Sequence, residues 1–480
     1  MTRTPSRRVV AGVLTLVLAG SATTVSASAA TPPPPGDYDA ALSQPVEDPY
    51  YPAKGDPGVD TLHYGLDLRW MPSKRRLVGV ATIALRSVVD QEQLTLDLSS
   101  ALTATDVTLD GTGTTFSQDG NHLVVDAPGM TADSRHDLVV DYRGEPQPFH
   151  TRFIREDIST LGWHTRKDGS AWTMQEPFGA FTWYPVNDQP SDKAFYDTTI
   201  SVPDRSGHLV GVSNGRLVSD TTTAGRRVTT WELDSPAASY LTTLAIGDYV
   251  EYDDEGPGGV PVSYWLLRGH SPGELRVARF LPEAMEWLEK HLGPYPFDRA
   301  GIVETKGGSG METQTLITLD DSVLKNNGRD VVLHELAHHW YGDTVTPDSW
   351  KDLWLNEAWA MYAQIRWEAH SGQSTMHYWR AYLAASDGYL RRAYGPPGEY
   401  RPRAFATNGV YLSGALMVDQ LRKKIGPAAF ADLWREWPQQ HLDSNADRDD
   451  FISWASARTG VDLRPFVTRW LTSRTTPHLS

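Results

Sequence analysis

Between about residue 60 and residue 252 the apolar positions alternate or fall into short β-branched runs, at 78–85, 94–98, 123–125, 138–142, 198–202, 227–233 and 240–246. Runs of period two bury one face each and predict strands. Turn formers such as Asp110-Gly111 and Asp119-Gly120-Asn121 stand between them. Many short strands at this spacing predict a sandwich or an open, saddle-shaped antiparallel sheet. An acidic, glycine-rich stretch at 253–259 ends the pattern. Beyond it the apolar spacing becomes helical. The first helix, 271–291, has Ser271 as its cap and Gly293 as its stop. Others are expected at about 323–341, 353–370, 376–392, 408–425, 428–437, 448–459 and 463–473. The chain therefore reads as α+β with two domains: an N-terminal β domain over 59–250 and a mainly helical domain over 251–480.

Residues 1–30 have a different character. Arg3, Arg7 and Arg8 precede a short apolar stretch, 9–20, and Ala27-Ser28-Ala29 offers a small-x-small cleavage site. This is the grammar of a cleavable signal peptide, and the run is shorter than the ~20 residues of a spanning helix. A secreted protein without stable membrane insertion is expected, by a Sec or twin-arginine route. Four consecutive prolines, 32–35, make 31–58 read as a Pro-rich, extended linker.

Composition narrows the classes. Of 480 residues, 40% are hydrophobic and 22% charged, which is globular usage. Lys and Arg number 44 against 60 Asp and Glu, for a net charge of −16, so a nucleic-acid partner is not expected. There is no cysteine, which excludes a disulfide scaffold, a thiolate metal site and a cysteine nucleophile.

The strongest chemical signal is His334-Glu335-Leu336-Ala337-His338. Two histidines at i and i+4 leave the same helical face and can share one Zn2+, with Glu335 placed to act as base on a water. On its own this five-residue pattern is only suggestive. A third ligand is needed, and Glu357, nineteen residues after His338 on the next expected helix, supplies it. Two His, one Glu and an open fourth position make a catalytic zinc site, one ion per chain. His339 points about 100° away from the ligand face, which favours packing over ligation. Asp343 and Asp352 are candidates to accept the second ring N–H of a ligand histidine, or are solvated helix-end acids.

The run HELAHHWYGDTVTPDSWKDLWLNEAWAMY, 334–362, resembles the aminopeptidase N family of zinc metallopeptidases, in the gluzincin group. Gly308-Ser309-Gly310-Met311-Glu312-Thr313 resembles that family's G-x-M-E-N motif. Glu176-Pro177 with the 184–194 segment resembles its E-P…F-P-C-x-D-E-P…K-A stretch, and Tyr411-Leu412-Ser413-Gly414-Ala415 its Y-E-K-G-A. The residues 244–249 resemble the last strand of its N-terminal domain. The match runs in order from about 60 to 440. It implies a saddle-shaped β domain followed by a thermolysin-like catalytic domain. It also implies that Glu176 and Glu312 hold a substrate's free α-amine, that Tyr411 stabilises the oxyanion, and that Gly308 and Gly310 let an edge strand lie close to the peptide. Without the resemblance the two glutamates read as solvated acids and Tyr411 as a half-buried helix residue. Thr313, Phe181, Val186 and Ser413 depart from the family's common residues without removing a catalytic group. The chain ends soon after Tyr411, so a helical lid domain is not expected, and the cleft is either open or closed by a second subunit.

The expected activity is hydrolysis of the first peptide bond of peptides with a free N-terminus. Met174, Phe178 and Met311 are candidates for the first side-chain pocket, or ordinary core residues. The rival readings are an endopeptidase or an epoxide hydrolase on the same zinc, and a silent zinc-binding protein. The preferred N-terminal residue, the substrate length and the oligomeric state are not encoded in a form that can be read from the sequence.

Overall fold

Along residues 76–85 the side chains alternate between intermediate and buried, as the apolar pattern requires, and Arg86 then departs by being buried as well. The computed structural model describes residues 38–479 apart from 156, 205–207 and 308. The signal expected at 1–30, and the first part of the expected linker, lie outside the described residues. The remainder of that linker, 38–58, is docked. Asp48 accepts hydrogen bonds from the backbone N–H of Tyr50 (2.7 Å) and of Trp350 (2.6 Å), and Lys54 pairs with Asp97 at 3.0 Å.

An eight-stranded sheet carries, in spatial order, Arg216–Thr223, Arg226–Ala238, Lys193–Pro203, Val59–Met71, Arg76–Ser87, Arg135–Gly144, Leu102–Leu109 and Thr112–Gly113. Its ladders are antiparallel except one. Val59–Met71 and Lys193–Pro203 run parallel, which needs the long crossover that the intervening chain provides. Gln91–Asp97, His122–Met130 and Phe116–Asp119 form a smaller antiparallel sheet.

A second large sheet joins the two halves of the chain. Its strand Leu244–Glu255 pairs early with Ala171–Met174 and Leu209–Ser213, and late with Pro261–Leu267. The boundary read at 250/251 thus falls inside a strand, and the glycine-rich stretch after it is a hairpin turn. Pro261–Leu267 continues in parallel to Ala300–Thr305 and Ile317–Asp320, and the two-residue strand Gly310–Met311 forms the edge.

The expected helix at 271–291 is two helices, Pro272–Ala278 and Leu281–Leu292. Pro282 has no N–H to give to an unbroken helix, so a new one starts with this proline in its first turn. The run at 323–341 likewise splits into Asp321–Lys325 and Arg329–His338, separated by Asn327 at φ +59°. Asn408–Ile425 and Arg448–Thr459 lie where the spacing placed them. Trp354–Ser371 is buried along most of its length between Arg329–His338 and Asn408–Ile425. A helix apolar on all sides belongs to an interior. Among the described residues no helix is long and apolar enough to cross a membrane.

Candidate active site

The Arg329–His338 helix ends in a wider turn, His339–Asp343, that fixes the second histidine. Gly342 adopts φ +140°, and a Cβ there would press on His338 and Asn356. The turn brings the Tyr341 carbonyl 3.1 Å from His338 Nδ1, so that Nδ1 carries the proton and Nε2 is left as a ligand. From the β domain, buried Lys193 donates to the carbonyls of Asp343 (2.8 Å) and Thr344 (3.1 Å). Burial pushes the Lys193 ammonium down to about 8. Tyr240 donates to the Gly342 carbonyl at 3.1 Å.

Three ligand atoms meet in front of this turn. His334 Nε2 and His338 Nε2 are 3.2 Å apart, and each lies 3.3 Å from Glu357 Oε2. A tetrahedral zinc with bonds of ~2.0–2.1 Å separates its ligand atoms by about 3.3–3.4 Å, so the triangle has the size of the ion. Burial works against the charge of Glu357, but His338 and His334 outweigh it and hold the carboxyl below its usual range.

All the described residues that the sequence singled out for the metal, the base, the amine and the oxyanion line one cavity of about 460 Å³. Gly308 lies outside the described residues. Glu335 lies beneath the edge strand so closely that a Cβ on Gly310 would collide with its carboxylate. Carboxylate oxygens of Glu312 and Glu335 and a ring nitrogen of His338 lie within 4.8 Å of one another. Burial raises the pKa of Glu176, Glu312 and Glu335, and the neighbouring carboxylates add to it. Oε1 of Glu176 and Oε1 of Glu312 are buried with no hydrogen-bond partner. So many buried carboxyl groups in one cavity call for cations.

The supports of these two glutamates are local. Gln175, next to Glu176, donates to the Ser239 carbonyl (3.0 Å) and to Thr242 Oγ1 (2.7 Å). Thr313, next to Glu312, bonds Thr318 Oγ1 at 2.9 Å, and thereby pins the turn that follows the edge strand.

Two expectations, for Asp343 and Asp352, are corrected. Neither Asp343 nor Asp352 supports a ligand histidine. Asp343 is fully buried, its carboxyl oxygens have no hydrogen-bond partner, and burial raises its pKa. Asp352 accepts instead from Trp354 Nε1 (2.9 Å) and Arg448 Nε (2.7 Å). His339 bonds Tyr295 Oη at 2.7 Å, a packing role. Met174 and Met311 line the cavity, whereas Phe178 stacks edge-on with Tyr51 and Phe149 away from it. Among the cavity residues that went unseen in the sequence, one touches a predicted site residue through a charged group. Arg155, from a loop of the β domain, donates to Tyr411 Oη at 3.0 Å. The loop has no periodic signal, and nothing in the sequence distinguishes this arginine from a surface one.

A β domain, a helical domain and a His–His–Glu triad with a glutamate between the histidines define a two-domain zinc metallopeptidase. Residues 280–470 match the Peptidase family M1 domain and residues 60–241 the Peptidase M1 N-terminal domain. The chain belongs to peptidase family M1. It is 28% identical over 446 residues to aminopeptidase B of Mus musculus, covering 85% of this chain and 63% of that protein. It is 22% identical over 446 residues to aminopeptidase M1 of Arabidopsis thaliana, covering 84% and 49%. Against aminopeptidase N of Streptomyces lividans the figures are 26% over 317 residues, 59% and 36%. The chain thus spans less than half the length of the last two. An M1 zinc metallopeptidase from Deinococcus radiodurans, solved as a variant bound to a Tyr-Ser-Ala substrate, superposes with a TM-score of 0.78 at 25% identity, over 91% of this chain and 99% of that one. The donor set fits the zinc of that metallopeptidase: two imidazoles and one carboxylate, with a side open to the cavity.

Proposed function

We propose that the protein is a zinc aminopeptidase that hydrolyses the first peptide bond of peptides with a free N-terminus. The observation that carries this reading is the pair of buried, unpartnered carboxylate oxygens on Glu176 and Glu312, in the same cavity as the His334–His338–Glu357 triad. An ammonium group supplies the charge and the donors that they lack. Held there, it leaves only the first peptide bond within reach of the triad. His334, His338 and Glu357 would hold zinc, which when bound polarises the scissile carbonyl and acidifies water.

Glu335 takes a proton from the attacking water as the water oxygen bonds to the carbonyl carbon. Its raised proton affinity suits that role. Tyr411 donates its O–H to the carbonyl oxygen as charge develops there. Glu335 then delivers the proton to the leaving nitrogen as the C–N bond breaks. Met174 and Met311 favour apolar first residues. Export rests on the sequence pattern at 1–30, and N-terminal sequencing of protein recovered from the medium tests it.

The activity is tested with one peptide offered in free and N-acetylated forms, with and without a chelator. Chelator-sensitive cleavage of the free form alone is expected. Equal cleavage of the acetylated form overturns the assignment of Glu176 and Glu312.

A further inference from the structure

Tyr411 Oη has a single proton to give, and its direction decides whether it serves the reaction. Three contacts constrain it. Arg155 Nη1 donates to the phenol oxygen at 3.0 Å, which occupies a lone pair with an incoming N–H. The His334 ring stacks on the Tyr411 ring, centroids 5.8 Å apart and planes 28° from parallel. The Arg155 guanidinium carbon lies 5.7 Å from the same ring centroid. An oxygen that accepts from a cation on one side turns its own O–H to the other, and Tyr411 lines the same cavity as His334, His338 and Glu357.

Arg155 is itself held. Its Nε and Nη2 pair with the two oxygens of Asp157, and its Nη1 also reaches the Ala406 carbonyl at 2.7 Å. A network therefore runs from Asp157 and the Ala406 carbonyl through Arg155 to Tyr411. The guanidinium is committed to these partners, which argues against a role as an anchor for a substrate carboxylate.

We propose that Arg155 is a positioning residue: it fixes the Tyr411 hydroxyl with its proton toward the reacting carbonyl, and its positive charge makes that O–H a stronger donor. The inference rests on the aminopeptidase reading and on Tyr411 as the oxyanion donor.

The experiment compares wild type, Arg155→Met, Arg155→Lys, Tyr411→Phe and the Arg155→Met/Tyr411→Phe double variant on a leucine amide substrate, with zinc content and melting temperature measured for each. Losing one oxyanion donor costs about 100–1,000-fold, so Tyr411→Phe is expected in that range and Arg155→Met at roughly 10–100-fold in kcat, with KM within about twofold. Arg155→Lys, which keeps the charge but not the fork, falls between. In the Tyr411→Phe background, Arg155→Met adds little further loss. An equal additional loss in that background, or a change confined to KM, overturns the proposal. So does Arg155→Met with wild-type kcat while Tyr411→Phe is inactive, and that result leaves the aminopeptidase reading standing. A wild type that turns over no aminoacyl amide, or a fully active Tyr411→Phe, overturns the reading of the site and this proposal with it. Should Arg155→Met lose zinc or its melting transition, Arg155→Lys and an added Arg155→Lys/Tyr411→Phe double variant decide by the same comparison.

Discussion

Glu357 with His334 and His338, and Asp348 with Asp447 and Asp450, each bring three ligand atoms within 4.8 Å of one another. The first group is buried and its three ligand atoms point at a common centre. The second group is partly exposed, and two of its three acids are already engaged in capping a helix. Asp447 Oδ1 accepts from the N–H groups of Asp449 (2.7 Å) and Asp450 (2.9 Å), and Asp450 Oδ2 from the N–H of Asp447 (3.1 Å). These two close a capping box at the start of Arg448–Thr459. Asp348 is left beside them, pushed up to about 7 by burial and by Asp447, Asp450 and Asp352. Proximity of acids is therefore not what makes a metal centre. Unengaged donor atoms, imidazoles among them, and a triangle of the right size do.

Four measurements put this contrast at risk. Removing the metal should matter most. Chelation, or Glu357→Gln, should abolish turnover and lower the melting temperature; zinc should restore both after chelation, and calcium neither. Retained activity in a zinc-free preparation would remove the triad from the mechanism. Next comes Glu335→Gln, which should keep one zinc per chain and lose about 1,000-fold or more in kcat, general acid–base catalysis contributing ~100–10,000-fold. Glu312→Gln should cost about 10–100-fold in kcat/KM for free-amine substrates, since a hydrogen bond to a charged group is worth ~1.5–3 kcal/mol. Equal losses on a blocked substrate would mean that Glu312 does not read the amine.

The aspartate cluster should respond least. Asp348 holds its proton up to about 7 in the folded state, against an ordinary value of 3.8. Between those values the folded state binds the extra proton, so stability falls as pH rises across that window, and the penalty is complete above pH 7. Asp348→Asn should then stabilise the protein by roughly 1–2 kcal/mol at pH 8, with little change at pH 4, after allowance for its partial exposure. The same variant should leave zinc content and turnover at wild-type levels.

Sequence was enough for the chemistry that local geometry carries. A helix places residues i and i+4 on one face whatever surrounds it, so spacing alone pairs His334 with His338 and puts Glu335 between them. The Asn408–Ile425 helix that carries Tyr411 could be bounded by its apolar spacing, and the alternation at Arg76–Ser87 marked both the strand and its buried face. Glu176, Glu312 and Tyr411 needed the family's order of motifs to stand out from ordinary surface residues.

Whatever depends on distant segments meeting was settled by the packing of the folded chain. Arg155 reaches Tyr411 across 256 positions of chain. The parallel ladder between Val59–Met71 and Lys193–Pro203, the strand that joins the halves, and the displacement of Phe178 from the cavity are of the same kind. So is the choice of the Tyr341 carbonyl over Asp343 or Asp352 as the partner of His338. Periodicity reports which face of an element is buried but carries neither the direction of a strand nor the identity of what it is buried against. Those follow from packing the whole chain at once, where each buried polar atom must find a partner or be left free for a ligand.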